Sequence, residues 1–204
     1  TRIASGGIIV GAMALFVVLS VFSGLRVFSL SFSNDFDPDL KVNPLSGKSF
    51  FLTLQQEQKL QQCPGIASYS KIIEERVLFS FDGKQQVAYI KGIDSNFVKV
   101  NKASKKLFNG QWLKPNTYQV VIGYGISEKL SLGLFDVNNV LEVLAPKPGN
   151  GNFSSLNPED SFSKLDLVPV GIYAISEELD SKYVFSDLGL AQELLLYKPG
   201  QISG

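Results

Sequence analysis

Hydrophobic positions are spread very unevenly along the chain. From Ile3 to Leu25 no residue is charged, and Arg2 and Arg26 frame the run. Its length of about 23 residues gives roughly 34 Å of helix, enough to cross a hydrocarbon core of about 30 Å. At about −0.3 to −0.6 kcal/mol each, its Ile, Val, Leu and Phe residues favour insertion by roughly −4 to −7 kcal/mol. A membrane-spanning helix is predicted. A cleaved signal peptide is the main alternative, but its apolar region is shorter and ends at a small-residue site. Here Leu25-Arg-Val-Phe28 runs on past the small residues of Ser20–Gly24. A buried core helix is the third reading.

Beyond Phe32 the pattern changes to that of a folded α+β domain. Thr53-Leu-Gln-Gln56 has the form of a capping box and opens a short helix, Leu54 to Gln62, stopped by Pro64-Gly65. Arg76–Phe81 and Gln85–Ile90 read as strands joined by Asp82-Gly83, a strong hairpin signal. Tyr118–Ile122 is a strand running through Gly123-Tyr-Gly125 into a helix that ends near Leu130. Val140–Ala145 and Leu167–Ile175 are further strands. Tyr183-Val-Phe185 leads into a helix from about Asp187 to Tyr197, with Ser186 as its cap, closed by Pro199-Gly200. Between two of these strands lies Pro146–Lys164, rich in Pro, Gly, Asn and Ser. Excursions of that length in compact domains are usually functional or disordered.

Composition narrows the chemistry. With 19 basic and 19 acidic residues the formal charge is zero, which gives no electrostatic case for nucleic acid. Histidine is absent and Cys63 stands alone, which removes histidine-based triads, thiolate metal cages and intrachain disulfides. Gly123-Tyr-Gly125 is not a dinucleotide fingerprint, because Glu128 stands where the third glycine would be; it reads as a tight strand-to-helix turn. Glu74 and Glu75 are adjacent on a strand, so alternation sends them to opposite faces and they make a poor acid/base pair. Glu177, Glu178 and Asp180 read as a solvated loop. Lys99, Lys102, Lys105 and Lys106 form a small basic surface cluster. No catalytic, cofactor-binding or metal-binding residue is assigned. Within the apolar helix Gly7, Gly11 and Ala14 share one face, and Ser20 and Gly24 share another; both are candidate helix-packing surfaces.

Ile3-Ala-Ser-Gly-Gly-Ile-Ile-Val-Gly11, Ala14-Leu15 and Val18-Leu-Ser-Val-Phe-Ser-Gly24 resemble the first membrane helix of the LolC/LolE lipoprotein-releasing permeases. So do Tyr69-Ser70 with Ile73-Glu74-Glu75, and Ala88-Tyr-Ile-Lys-Gly-Ile-Asp94. Val121-Ile-Gly-Tyr-Gly125 with Lys129-Leu130, Pro169-Val-Gly-Ile-Tyr173 and Leu179-Asp-Ser-Lys-Tyr-Val-Phe185 with Ala191 and Leu194–Tyr197 look like the periplasmic core of the same family. The resemblance implies a membrane helix and juxtamembrane segment over 1–33, then a MacB-like periplasmic core domain over 34–204. That domain would have two lobes, a porter-like α/β lobe and an inserted β-rich lobe at about 100–168. It further implies a bacterial inner-membrane permease with no catalytic site of its own. ATP hydrolysis would fall to a separate cytoplasmic ATPase, a second permease subunit would complete a homo- or heterodimer, and a periplasmic carrier would take the lipoprotein from the membrane lipid. In the LolC branch a hook recruits the carrier, so Pro146, Lys147, Pro148, Asn150, Phe153, Leu156 and Phe162 become the candidate partner-binding loop. The local sequence Lys147-Pro-Gly-Asn-Gly-Asn152 departs from that branch's hook. A MacB-like efflux permease, an FtsX-like permease and a membrane-anchored binding domain remain as alternatives.

Overall fold

The structure is a computed structural model that describes residues 2–36, 38–134, 139–147 and 161–204. It divides into two compact units, residues 1–37 and 38–204.

The first unit is one helix, α1 (Arg2–Phe36). Leu25-Arg-Val-Phe28 and the residues after it keep helical backbone, so the helix outlasts the uncharged run. Its segment Ser5–Phe28 is long and apolar enough to cross a membrane, and its residues are exposed.

The second unit is built on strands. β1 (Phe50–Phe51) and β9 (Gln201–Ile202) form a two-stranded ribbon. The other strands are β2 (Ile72–Phe81), β3 (Lys84–Ile93), β4 (Leu107–Gly110), β5 (Gln119–Gly123), β6 (Leu141–Pro146), β7 (Phe162–Tyr173) and β8 (Tyr183–Asp187). They share one sheet in the order β4-β7-β5-β8-β3-β2-β6, and β6 also pairs with β7, so the pairing closes on itself. β7 makes this possible by changing partners midway. Phe162–Leu167 runs antiparallel to β6, and Val168–Tyr173 runs parallel to β5 and antiparallel to β4. Pro169 lies beside the irregularity in the β5 pairing, a place where a missing N–H is tolerated. Residues 100–168 supply β4, β5, β6 and half of β7 to this sheet.

The hairpin β2–β3 has the register that its turn dictates. Asp82 and Gly83 both take positive φ (47° and 73°), as a two-residue hairpin loop of primed type requires, so Phe81 pairs with Lys84. Alternation then turns Ile73, Val77, Phe79 and Phe81 toward the main core. Ala88, Ile90, Val120, Ile122, Leu141, Val143, Ala145 and Val184 meet them there from the other strands. Two helices seal this core with Ile126, Leu130, Leu190, Ala191 and Leu194: α4 (Tyr124–Leu130) and α6 (Leu188–Leu194). On the opposite face Phe97, from the short α3 (Phe97–Val100), and Trp112 pack on Phe185, which also meets Tyr173.

Local signals hold in part. α2 (Leu54–Gln62) carries the expected capping box: Thr53 Oγ1 accepts from the Gln56 N–H at 3.3 Å and Gln56 Oε1 accepts from the Thr53 N–H at 2.9 Å. The cap of α6 is Asp187, not Ser186. Asp187 Oδ2 accepts from the Gly189 N–H at 2.9 Å, while Ser186 is fully buried within β8. The helix also stops at Leu194, and Leu196 turns left-handed at φ 55°. Of the acidic residues expected in a solvated loop, Glu177 and Glu178 are exposed, but the backbone is a single helical turn. They form α5 (Glu177–Asp180), and Asp180 is buried.

Candidate functional site

Three groups of residues could form sites: the carboxylates of β2, the glycines at the end of β5, and the β6–β7 hairpin.

Glu74 and Glu75 point to opposite faces, as strand alternation requires. Glu74 lies directly across from Lys91 in the hairpin register. Its carboxylate accepts from Tyr183 Oη at 2.9 Å and from Lys41 Nζ at 3.1 Å. Burial pushes this carboxyl up, but Lys91 and Lys41 with these hydrogen bonds outweigh that and hold it below its ordinary value of 4.5. Lys91 is buried; its Nζ stands 4.9 Å from the Tyr183 ring centre and 5.8 Å from that of Phe97. Lys182 Nζ stands 4.9 Å from the same Tyr183 ring and 5.6 Å from Tyr89. Glu75 takes Lys48 Nζ at 2.7 Å instead. Two carboxylates held on opposite faces, each by cations, cannot share a proton-transfer task.

The glycines of Gly123-Tyr-Gly125 serve close approach, and neither has a positive φ. A Cβ on Gly123 would run into the Asp180 backbone, and one on Gly125 into Ser181 Oγ. That loop is fixed from within. Asp180 Oδ1 accepts from the Ile175 N–H at 2.8 Å, and Tyr173 Oη donates to the carbonyls of Leu179 and Tyr183, each at 2.9 Å. The motif therefore cradles protein backbone, where a phosphate loop would present free N–H groups. Tyr124 is exposed on α4 and packs edge-on against exposed Phe108, with ring centres 5.4 Å apart. Among the described residues no three His, Cys, Asp or Glu side chains cluster as metal ligands.

The candidate partner-binding loop springs from a regular base. Pro146 pairs with Phe162 at the end of β6–β7, and the Lys147 N–H donates to the Ser161 carbonyl at 2.9 Å. Pro146 and Lys147 are exposed and Phe162 is half-buried. Pro148, Asn150, Phe153 and Leu156 lie outside the described residues. The candidate helix-packing residues Gly7, Gly11, Ala14, Ser20 and Gly24 are all exposed on α1. A Cβ at Gly7, Gly11 or Gly24 would meet nothing within 4 Å.

Sequence reasoning missed the Glu74–Tyr183–Lys91 assembly, although half of it was accessible. A two-residue turn at Asp82-Gly83 fixes the Glu74–Lys91 pairing by counting outward from Phe81 and Lys84. Tyr183 comes from a strand about 90 residues later in the chain, and no local pattern announces it.

These features define an apolar helix joined to a mixed α/β domain. The family model described as "MacB-like periplasmic core domain" matches residues 1–178, and the chain belongs to that family. The lipoprotein-releasing system transmembrane protein LolE of Haemophilus influenzae is 27% identical over 153 residues, covering 72% of this chain and 34% of the relative. The chain thus spans about a third of that relative's length. Two solved structures are similar at lower identity. The extracellular domain of the noncanonic ABC-type transporter YknZ from Gram-positive bacteria aligns at a TM-score of 0.49 and 11% identity, over 72% of this chain and 67% of that one. The periplasmic region of MacB from Actinobacillus actinomycetemcomitans aligns at 0.48 and 12% identity, over 74% and 62%.

Proposed function

We propose that this chain is part of the permease subunit of an ABC transporter that releases lipoproteins from the bacterial inner membrane. The observation that carries the reading is the pairing of a membrane-length apolar helix with a MacB-like core domain in one chain, together with the sequence likeness to LolE. On this reading α1 lies in the inner membrane and residues 38–204 fold in the periplasm. The subunit performs no chemistry itself; a cytoplasmic ATPase supplies the energy and a second permease subunit, like or unlike, completes the pore. The helix faces of Gly7, Gly11 and Ala14 and of Ser20 and Gly24 then pack against neighbouring membrane helices, because small residues let backbones approach. The loop 146–164 receives the periplasmic carrier.

Depletion of the full-length protein tests the reading. Lipoproteins destined for the outer membrane should accumulate in the inner membrane, and the tagged protein should co-purify with an ATPase. Normal lipoprotein sorting would refute it. Membership of the MacB-like family favours one second reading, an efflux permease, under which the tagged protein would be recovered with an outer-membrane channel while lipoprotein sorting stays normal. Deleting 148–160 should leave the domain folded and weaken carrier capture; unchanged capture would remove the loop from the interface.

A further inference from the structure

Among the described residues, β4 pairs with β7 alone, whereas every other strand of the main sheet has at least two partner strands. The strand is held in place at both ends. The Ala174 N–H donates to the Lys106 carbonyl at 3.1 Å, and the Gln111 N–H donates to the Val170 carbonyl at 2.9 Å. Gly110 faces Gly171 in the register, and a Cβ on either would run into the backbone opposite. β4 is thus fixed on β7 while Phe108, Asn109 and Gly110 stay exposed. Phe108 is 66% exposed, and its ring meets that of Tyr124, 39% exposed, edge-on, which leaves an aromatic pair facing water beside the edge. The charge here is one-sided. Lys99, Lys102, Lys105, Lys106 and Lys114 lie between Asp94 and Glu128 with no acidic residue among them, in a chain whose 19 basic and 19 acidic residues balance. Lysines and a bulge, here the register shift at Phe108, are common protections of an exposed edge. They act against a second copy, which would bring the same five positive charges to the contact, but each lysine attracts an acidic strand.

We propose that β4 is a docking edge for an extended acidic segment of a protein partner, which joins the sheet as a strand beside β4 and lays an apolar side chain on Phe108 and Tyr124. In strand addition, backbone hydrogen bonds to the open edge supply affinity and side chains select the partner. Here the aromatic pair supplies the apolar contact and the lysines select for acidic residues. A membrane surface would offer negative charge but no backbone to pair, so the open edge favours a peptide. This surface contains no residue of the 146–164 loop and does not depend on what that loop receives.

Fluorescence anisotropy of a labelled peptide with the full chain in neutral-lipid nanodiscs tests the proposal. The probe is a peptide of about eight residues alternating glutamate with valine, long enough to lie along β4. It should bind, and the same peptide with lysine in place of glutamate should not. Methylating alternate amide nitrogens of the probe should abolish binding in the frame that faces β4, because the ladder then lacks its donors. Phe108→Ser should weaken binding about tenfold through lost apolar contact, and Lys105→Glu about fivefold. Both side chains are exposed, so melting should stay at the wild-type temperature. No binding of the glutamate peptide, or equal binding of both methylated frames, would overturn the proposal. Self-association abolished by Phe108→Ser would overturn it in favour of a second copy. Capture by phosphatidylglycerol vesicles in place of peptide binding would overturn it in favour of lipid.

Discussion

Gly123→Ala is the sharpest probe of how the end of β5 is built. The added Cβ would lie 2.7 Å from both the Cα and the carbonyl carbon of Asp180, where real Cβ atoms are not found. Relief requires backbone to move, and this backbone is pinned. Asp180 donates its N–H to the Ser176 carbonyl at 2.8 Å, accepts from Ile175 through its carboxylate at 2.8 Å, and is covered by neighbouring chain. Forcing an atom into such a site costs about 1–3 kcal/mol. Because the overlap is with pinned backbone the cost belongs at about 3 kcal/mol, and the lower unfolded-state entropy of alanine returns about 0.4–1 kcal/mol, which leaves a net loss of about 2 kcal/mol. In a domain of this size 1 kcal/mol corresponds to about 2–4 °C, so Tm should fall by about 4–8 °C. Gly133→Ala is the control, because nothing lies within 4 Å of its added methyl and its φ is not positive. Thermal unfolding of the full chain in detergent, followed by circular dichroism, reads both variants. If Gly123→Ala melts within about 1 °C of wild type while Gly133→Ala also holds, close approach is not what Gly123 provides.

Other changes probe other layers. Glu74→Gln should lower stability by about 1 kcal/mol at neutral pH. Because the folded-state pKa of Glu74 is depressed, its contribution is present above 4.5 and lost as pH falls through the folded value, so the gap in Tm should close in acid. A gap that stays constant from neutral to acid pH would contradict that. Thr53→Ala should cost α2 about 1 kcal/mol of helix stability. Since α2 buries no residue, the effect should show as faster exchange within Leu54–Gln62 with little change in overall melting. Gly11→Arg should impair membrane insertion, since a mid-bilayer charge costs about 3 kcal/mol against a run worth only a few more than that; full resistance to alkaline extraction would argue against burial of that position in lipid.

The parts of this fold that were legible in the sequence are those fixed by neighbours. The apolar run, the Thr53 capping box and the Asp82-Gly83 turn each depend on residues within a few positions, and each appears where the pattern places it. The errors arose where tertiary context decided between local options. Ser186 and Asp187 are both competent caps, and the choice fell to Asp187 because Ser186 is committed to the interior of the sheet. Gly123 and Gly125 do form the expected tight strand-to-helix turn, but what requires glycine there is a loop more than 50 residues further along the chain. The acidic stretch after Ile175 reads as solvated, but Asp180 turns inward to hold that loop's own N–H groups. The candidate interface is legible only at its base, where Pro146 and Phe162 pair.

The place of β8 bears on biogenesis. It lies between β3 and β5, pairing parallel with the former and antiparallel with the latter. During synthesis β5 is complete at Gly123, but its neighbour ends only at Asp187, so at 5–20 residues per second the gap lasts roughly 3–13 s. Until β8 follows, β3 and β5 lack the strand that joins them, and Ile90, Val120, Val121 and Ile122, wholly buried once folding is complete, lie beside that gap. A holding chaperone, or slow emergence of the chain, would have the most to protect in that window, and ribosomes stalled just before Tyr183 should yield the most aggregation-prone intermediate.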